Sequence, residues 1–496
     1  MKYYLLAIDQ GTTGSTALVI DSGLSVLARG YREFRQIYPK PGWVEHDPRD
    51  IWDSVCAAVK EALAKSHIKP SRIEAVGITN QRETTILWER QKGRALHNAI
   101  VWQCRRTKDI CDKLKVERIE GPIQRRTGLL LDPYFSASKL KWLLDNVKGA
   151  RKRAEKSELA FGTVDSYLLW QLTGGEMHYS DVTNASRTML FNIHTISWDD
   201  YLLKLFDIPK TLLPEVQSST GLFGVTSDKF QKILPAGIPI TGIAGDQQAA
   251  LFGQGCFNEG DAKCTFGTGS FMVMNTGKKP VASKNRLLTT IAWQVGKNPP
   301  VYALEGSCFI SGAVVQWLRD ELKLIEKASD IEALAASVKD SGGVFFVPAL
   351  AGLGAPHWRS DARGVITGIS RGTNRGHIAR AALEGMALQN ADVLLAMEID
   401  SKRRLKRLKV DGGAAVNDML MQYQADILGV KIARPAVLES TALGAAALAA
   451  VGAGLIEGTA ELERKLSART KIFTPKIREK EREAVLKAWR DAVKKA

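Results

Sequence analysis

The chain opens on two apolar runs separated by a polar break: "YYLLAID", then Gly11-Thr12-Thr13-Gly14, then "STALVID". That spacing predicts strand, tight turn, strand. The plan returns at 261–277, where strand-like runs flank Gly267-Thr268-Gly269-Ser270. "IEAVGITN" (73–80) predicts a short buried strand ending at a polar loop, a common seat for catalytic groups. "DPRDIWDSVCAAVKEALAKS" carries apolar residues at helical spacing behind Asp-Pro, a good helix start. In the second half, "RLKRLKVDGGAAVNDMLMQYQADILG" predicts strand, Gly-Gly turn and helix, with Val416, Met419, Leu420, Tyr423, Ile427 and Leu428 as the buried stripe. "ESTALGAAALAAVGAGL" predicts a further helix, capped by Ser440 or Thr441 and small enough in its side chains to pack closely. Two successions of strands and helices, each opened by a Gly/Thr hairpin, amount to an internal duplication. The expected architecture is α/β, with two domains at 1–250 and 251–496.

Length and composition fit that picture. A chain of 496 residues exceeds what one hydrophobic core organises, and 45% apolar with 25% charged residues is ordinary for a folded protein. The longest uncharged apolar run, 443–456, has fourteen residues, short of the roughly 20 that span a bilayer. The six uncharged residues between Lys2 and Asp9 are too few for a secretory leader. Six cysteines form no C-x-x-C pair and seven histidines no ligand cluster, so a reducing cytoplasm without a structural or catalytic transition metal is expected. Lys and Arg outnumber Asp and Glu by 69 to 53, a net charge of +16. The basic residues gather at 148–156, at 401–409 and in the C-terminal helix, where acidic or apolar residues interleave and no aromatic stacking platform appears. A solvated basic surface, or steering of an anionic substrate, explains the excess. No nucleic-acid partner is expected.

Candidate chemistry begins at "TGIAGDQQAALFGQG" (241–255), where Asp246 stands between a small apolar run and a helical stretch. It is either an N-cap for that helix or a carboxylate presented to a site. Neither G-x-x-x-x-G-K-[ST] nor G-x-G-x-x-G follows a strand. The two Gly/Thr hairpins offer another way to grip phosphate, because glycine lets backbone amides approach closely and hydroxyls add donors. Each hairpin alone is a turn like many others; a matched pair, joined by the strand-turn-helix "VDGGAAVND", is more specific.

"AIDQGTTGST", "TFGTGSF" and "KVDGGAAVND" resemble the two phosphate motifs and the adenosine motif of the actin-like ATPase superfamily. Within it, "YPKPGWVEHDP", "GITNQRETTILWE", "NAIVWQCRRT", "DPYFSASKLKW", "GTVDSYLLWQLTGG", "TNASRTMLFNI", "GIAGDQQAALFGQ" and "GLGAPHW" are similar to the FGGY sugar and polyol kinases, several of them to the glycerol-phosphorylating branch. The likeness runs from residue 3 to about residue 490. It implies two duplicated ribonuclease-H-like domains facing across a cleft, with the polyol deep inside and ATP between the domains. The implied reaction converts glycerol and ATP to sn-glycerol 3-phosphate, and the implied assembly is a homo-oligomer, dimer or tetramer.

The resemblance also implies roles. Asp246 matches the catalytic base, and Asp9 the residue that orients Mg2+. Thr12, Thr13, Gly14 and Thr268 match phosphate contacts; Gly312, Gln316, Gly413 and Asn417 match positions lining the nucleotide. Arg82, Glu83, Tyr134, Asp246 and Gln247 would bond the polyol hydroxyls, with Trp102 and Phe271 packed on its carbons. Read singly, Gly312 and Gly413 are ordinary helix-entry glycines and Asn417 a solvent-facing residue at a helix start.

Two departures stand out. Thr16 replaces an arginine expected near the phosphates, a loss on the order of 1.5 to 3 kcal/mol unless another cation substitutes. "TSDKFQKILPAGIP" (226–239) lacks the Gly-rich basic loop through which some members bind a sugar-phosphate inhibitor. The rival readings are a sibling kinase for a ketopentulose, an actin-like or chaperone-type ATPase, and a basic nucleic-acid-binding module. "NQRETT" and "WQCRRT" resemble the glycerol-specific versions and argue against the first.

Overall fold

Each Gly/Thr turn closes a hairpin, and each hairpin belongs to a mixed sheet. The computed structural model describes residues 3–230, 233–359, 361–436, 439–466 and 470–496. The first sheet is built from β1 (Tyr4–Gln10), β2 (Gly14–Asp21), β3 (Val26–Glu33), β4 (Ile73–Asn80), β5 (Thr220–Val225) and β6 (Pro239–Gly245), in the order β5-β6-β4-β1-β2-β3. The second contains β7 (Ala262–Phe266), β8 (Ser270–Gly277), β9 (Leu288–Trp293), β10 (Val301–Cys308), β11 (Arg407–Asp411), β12 (Lys431–Pro435) and β13 (Thr470–Phe473), in the order β9-β10-β8-β7-β11-β12-β13.

Followed from β3, the first sheet pairs antiparallel, antiparallel, parallel, parallel, antiparallel. Followed from β10, the second repeats that series, with β9 added at the edge. The last strand differs: β5 precedes its partner in the chain, whereas β13 follows its own. Pairing order, more than the short Gly/Thr turns, is the mark of duplication.

Six helices position the site: α1 (Pro48–Ser66), α2 (Val182–Ala185), α3 (Asp246–Gly253), α4 (Gly312–Asp320), α5 (Asp418–Leu428) and α6 (Ser440–Gly452). As the Asp-Pro signal predicts, Asp47 caps α1, accepting from the Arg49 N–H, and Pro48 takes the first turn, where its missing N–H costs nothing. The first sheet is covered on both faces, which is why its strands are nearly continuous apolar runs. Leu6, Ile8, Ala17 and Val19 meet Ile51, Val55 and Ala58 of α1. On the opposite face Leu5, Ala7, Leu18 and Ile20 meet the alanines of α6.

Helix α6 comes from the second half yet lies on the first sheet and against α3. It approaches so closely that a Cβ on Gly77 would fall 2.1 Å from the Ala445 carbonyl oxygen, and one on Gly444 would fall 1.8 Å from that of Ala249. Glycine is required at both contacts because any side chain would strike backbone. Two expectations are corrected here. Ser440 and Thr441 do not cap α6: Glu439 holds the cap position without a side-chain bond, and the Ser440 hydroxyl donates to the Asp411 carboxylate. Val416 is not in the buried stripe of α5 but 58% exposed, because Gly413–Val416 form a separate 3-10 turn and the helical phase starts at Asp418. Met421, Gln424 and Ala425 join Leu420 and Ile427 on the buried face.

Candidate active site

Strand β4 and the loop after it deliver Arg82 and Glu83, β6 delivers Asp246, and β10 of the second sheet delivers Glu305. The Arg82 side chain is 2% exposed, and a guanidinium so buried must spend its donors on protein. Its Nη1 and Nη2 donate to Glu305 Oε2 (2.5 Å) and Oε1 (3.0 Å), Nη1 also to Gln248 Oε1 (3.2 Å), and Nε lies 3.0 Å from Asp246 Oδ1. Three of its five N–H groups are thus hydrogen-bonded among the described residues, Nε stands in ion-pair contact with Asp246, and one N–H on Nη2 has no partner there. A Cβ on Gly245 would sit 2.7 Å from Arg82 Cγ and Cδ, so that glycine makes room for the arginine.

Arg187 completes the cluster. Its Nε donates to Glu83 Oε1 (2.7 Å) and its Nη2 to Glu305 Oε1 (3.0 Å). Burial would raise the Glu305 carboxyl, but Arg187 and Arg82 outweigh it and hold the group down at about 2. Burial wins at Glu83, whose carboxyl is raised despite Arg82 and Arg187. Glu83 also has φ 61. A non-glycine residue held in left-handed backbone marks local strain that the surrounding contacts must support. Burial, then the Glu83 charge, push the Tyr134 hydroxyl above its ordinary range. The Lys139 ammonium donates to the Tyr134 and Phe135 carbonyls, fixing that loop, and burial lowers it to about 8.

Asp246 is the first residue of α3, and Gly245 is the cap, so the N-cap reading is corrected. Its side chain is 31% exposed. Oδ1 accepts from the Gln247 N–H (2.7 Å) and faces Arg82, while Oδ2 accepts, among the described residues, only a long bond from Gln247 Nε2 (3.3 Å). The junction is fixed from behind by α2. Asp181 caps that turn, accepting from the Thr183 and Asn184 N–H groups, and the Thr183 hydroxyl oxygen accepts from the Gly245 N–H (2.9 Å). Asp165, reached by the Ser180 and Thr163 hydroxyls, lies deeper still, and burial raises its carboxyl to about 7.

At the other end of the cleft the two hairpin turns are held by short bonds, Gly11 N–H to Gly14 O and Gly267 N–H to Gly269 O, both 2.9 Å. Thr13, Gly267 and Thr268 are exposed. The Ser311, Gly312 and Ala313 N–H groups donate to Thr268 O, Gly267 O and Thr268 O, so the second hairpin docks on the start of α4. Gly312 enters α4, Gln316 is exposed one turn on, and Gly413 is exposed with open space about it. Asn417 is buried and caps α5 through its Oδ1 (2.8 Å to Leu420 N), which corrects the solvent-facing reading.

Trp102 joins the two ends. Its Nε1 donates to Thr12 Oγ1 (3.0 Å), and its ring meets Tyr134 and Phe271 edge-on, centroids 5.6 and 6.4 Å apart. Asp9 pairs with Thr16 across the first hairpin. Burial, with Asp246 adding, raises the Asp9 carboxyl to about 7, and Arg29 pulls the other way. Thr16 in turn pairs with Tyr31, and the Arg29 guanidinium lies 5.0 Å from that ring and 3.5 Å from Glu439 Oε1, so of the two arginines on β3, Arg29 and Arg32, it is Arg29 that shares a sheet face with Thr16.

The structure therefore gathers Arg82, Glu83, Trp102, Tyr134, Asp246, Gln247 and Phe271 at one end and the hairpin residues at the other. Sequence reasoning missed Arg187, Glu305, Lys263 and Gln248. "TNASRTM" and "YALEGS" held a signal, a charged residue inside an otherwise apolar or small stretch, but not the partner.

Models for the N-terminal and C-terminal domains of the FGGY family of carbohydrate kinases match residues 4–253 and 262–453. The chain is 56% identical to a glycerol kinase of Bdellovibrio bacteriovorus, over 100% of this chain and 99% of that one. It is 54% identical to glycerol kinase 2 of Thermotoga maritima, covering 99% and 98%. Its fold is similar to the crystal structure of Plasmodium falciparum glycerol kinase with ADP, with TM-score 0.94, 37% identity and coverage of 99% and 98%. A ligand-bound xylulose kinase from Lactobacillus acidophilus shares the fold at TM-score 0.88 and 24% identity, covering 99% and 97%.

Proposed function

The chain belongs to the FGGY family of carbohydrate kinases, and on that premise we propose that it transfers the γ-phosphoryl group of ATP to glycerol, yielding sn-glycerol 3-phosphate and ADP. The observation that carries this reading is Asp246. One of its oxygens faces Arg82 and the helix backbone, while Oδ2 has, among the described residues, a single long bond, on a side chain that is 31% exposed. Oδ2 takes the proton of a terminal glycerol hydroxyl as that oxygen bonds the γ-phosphorus and the bond to the β-phosphate oxygen breaks.

The remaining polyol contacts follow from what the cluster leaves free. Arg82 keeps one N–H, Glu83 keeps the oxygen that Arg187 does not take, and Gln247 turns its amide nitrogen toward the cleft. Tyr134 adds its hydroxyl, and Trp102 and Phe271 wall the carbon chain. Thr12, Thr13, Gly14 and Thr268 receive the phosphates, and Gly312, Gln316, Gly413 and Asn417 line the nucleoside.

Asp9 suits Mg2+. It accepts no hydrogen bond from a described side chain, and burial and Asp246 both disfavour its charge, so a divalent cation would relieve it. No trio of His, Cys, Asp or Glu among the described residues could hold a metal alone. In this reading the ion would be held by Asp9 together with the substrate phosphates. When bound it neutralises phosphate charge.

A polyol lobe at 1–250 and a nucleotide lobe at 251–496, a homo-oligomer and a cytoplasmic setting are part of the same reading. Each sheet draws its strands from one side of residue 250, and the six cysteines are free thiols, five of them buried. No helix among the described residues is long and apolar enough to cross a membrane. No sugar-phosphate inhibitor is assigned to segment 226–239, in which Gln231 and Lys232 lie outside the described residues. A coupled ADP assay over glycerol, dihydroxyacetone, xylulose and ribulose tests the substrate. Strong preference for glycerol is expected, and equal rates on the pentuloses would favour the sibling kinase instead.

A further inference from the structure

Lys263, on β7 of the second sheet, is wholly buried, yet among the described residues no carboxylate comes within ion-pair distance of its ammonium. It donates instead to two neutral oxygens, Gln247 Oε1 and Thr265 Oγ1 (2.9 Å). A buried cation without a bonded counter-charge is costly, and such groups persist where they serve a site. Asp411 and Asp246 face it from farther off, one from each half of the chain, and these are the charges that offset its burial.

The consequence lies in the amide of Gln247. An ammonium has only donors, so it dictates that Oε1 of Gln247 points toward β7 and that Nε2 points the other way. The other way is Asp246, whose Oδ2 accepts from Nε2 at 3.3 Å. With the amide reversed, an oxygen would face that carboxylate and repel it. Lys263, Gln247 and Asp246 thus form a directed chain from the second sheet to the candidate base, and every member but Asp246 is buried.

We propose that Lys263 is a positioning residue for phosphoryl transfer: by fixing the Gln247 amide it aims Asp246 Oδ2 at the attacking hydroxyl and ties that aim to the strand carrying the second phosphate hairpin. The inference rests on the glycerol-kinase reading and deepens it. Because Lys263 touches no reacting atom, its removal acts on kcat through geometry, where a misplacement of about 1 Å can cost about 100-fold.

The test is a double-mutant cycle of Lys263→Met and Gln247→Leu in the full-length protein, read by steady-state kinetics, calorimetric glycerol affinity and thermal melting. Lys263→Met is expected to lower kcat about 100-fold with KM for ATP unchanged. Its melting temperature should fall, since the substitution removes the cation that faces the buried Asp411 carboxylate, and the kinetics are therefore compared well below the melting range of both proteins. The double variant should be no slower than Gln247→Leu alone, because the lysine acts only through the glutamine. Multiplying losses, or wild-type kcat in Lys263→Met, would overturn the proposal. Should Lys263→Met fail to fold, Lys263→Gln decides in its place, since an amide there no longer dictates which way the Gln247 amide points: a kcat loss of about 100-fold with KM for ATP unchanged supports the chain, and wild-type kcat sinks it. A wild-type protein that leaves glycerol unphosphorylated would instead fault the functional reading itself.

Discussion

At the proposed polyol end of the cleft, Arg82, Glu83, Arg187 and Glu305 are buried and tied to one another, whereas at the proposed phosphate end Thr13, Gly267, Thr268, Gln316 and Gly413 are exposed. The first region is a closed ionic lattice; the second offers hydroxyls, one amide and backbone N–H groups. Their ligands differ in the opposite sense. Glycerol is small and uncharged and brings little binding energy, so its site has to be rigid and oriented in advance. A triphosphate brings its own charge, so turns that let backbone amides come close suffice to hold it. Rigidity is therefore concentrated where the ligand is weakest.

The largest expected effect tests the junction between the two regions. Asp246→Asn should lower kcat by about 1,000-fold, within the usual range for losing a general base, while calorimetry finds glycerol affinity within a few-fold of wild type. A variant that still turns over near the wild-type rate would take the base away from this carboxylate. Next, Glu305→Gln should cost about 3 to 5 kcal/mol in denaturant unfolding, because it strands charge on two buried arginines. Thr268→Ala, at the exposed end, should leave unfolding unchanged and raise only KM for ATP. If both variants unfolded alike, the contrast between the ends would be broken.

Thr16→Arg sharpens the comparison by adding charge to the phosphate end. It should lower KM for ATP by about tenfold, the equivalent of one charge-assisted bond; no change would mean that Arg29 already serves there. The smallest effect concerns Asp165, whose carboxyl is raised to about 7. A buried acid with a raised value stabilises the fold below its unfolded value and loses that contribution as pH climbs through about 7. Melting of Asp165→Asn, compared with wild type from about pH 4 to about pH 8, should therefore show the variant gaining relative stability as pH rises.

The exposed end of the cleft was the legible one. "GTTG" and "GTGS" are local, so composition and spacing are enough to place both hairpins. Asp246 was also legible as a carboxylate at a strand-to-helix junction, although its bond to Arg82 was not. The ionic lattice escaped because its partners are far apart in sequence: Arg82 meets Glu305 across 223 positions and Arg187 meets it across 118. Nothing local in "YALEGS" tells a buried glutamate which arginines it will meet. Val416 and Ser440 were misplaced for a different reason. A 3-10 turn inserts ahead of α5 and shifts its phase, and a hydroxyl that could cap a helix is drawn instead to a buried carboxylate.

The alanine-rich helix laid over Gly77 has a bearing on how the protein is made. The strands beneath it leave the ribosome long before it does, so during synthesis the first sheet keeps one face bare until the segment up to Gly452 has emerged. Its nascent form is an apolar surface waiting for a cover, the kind of species that binds chaperones or other copies of itself. Severing the chain near its middle would strand each product without a part that the other carries, and mixing the two fragments should restore folding that neither achieves alone.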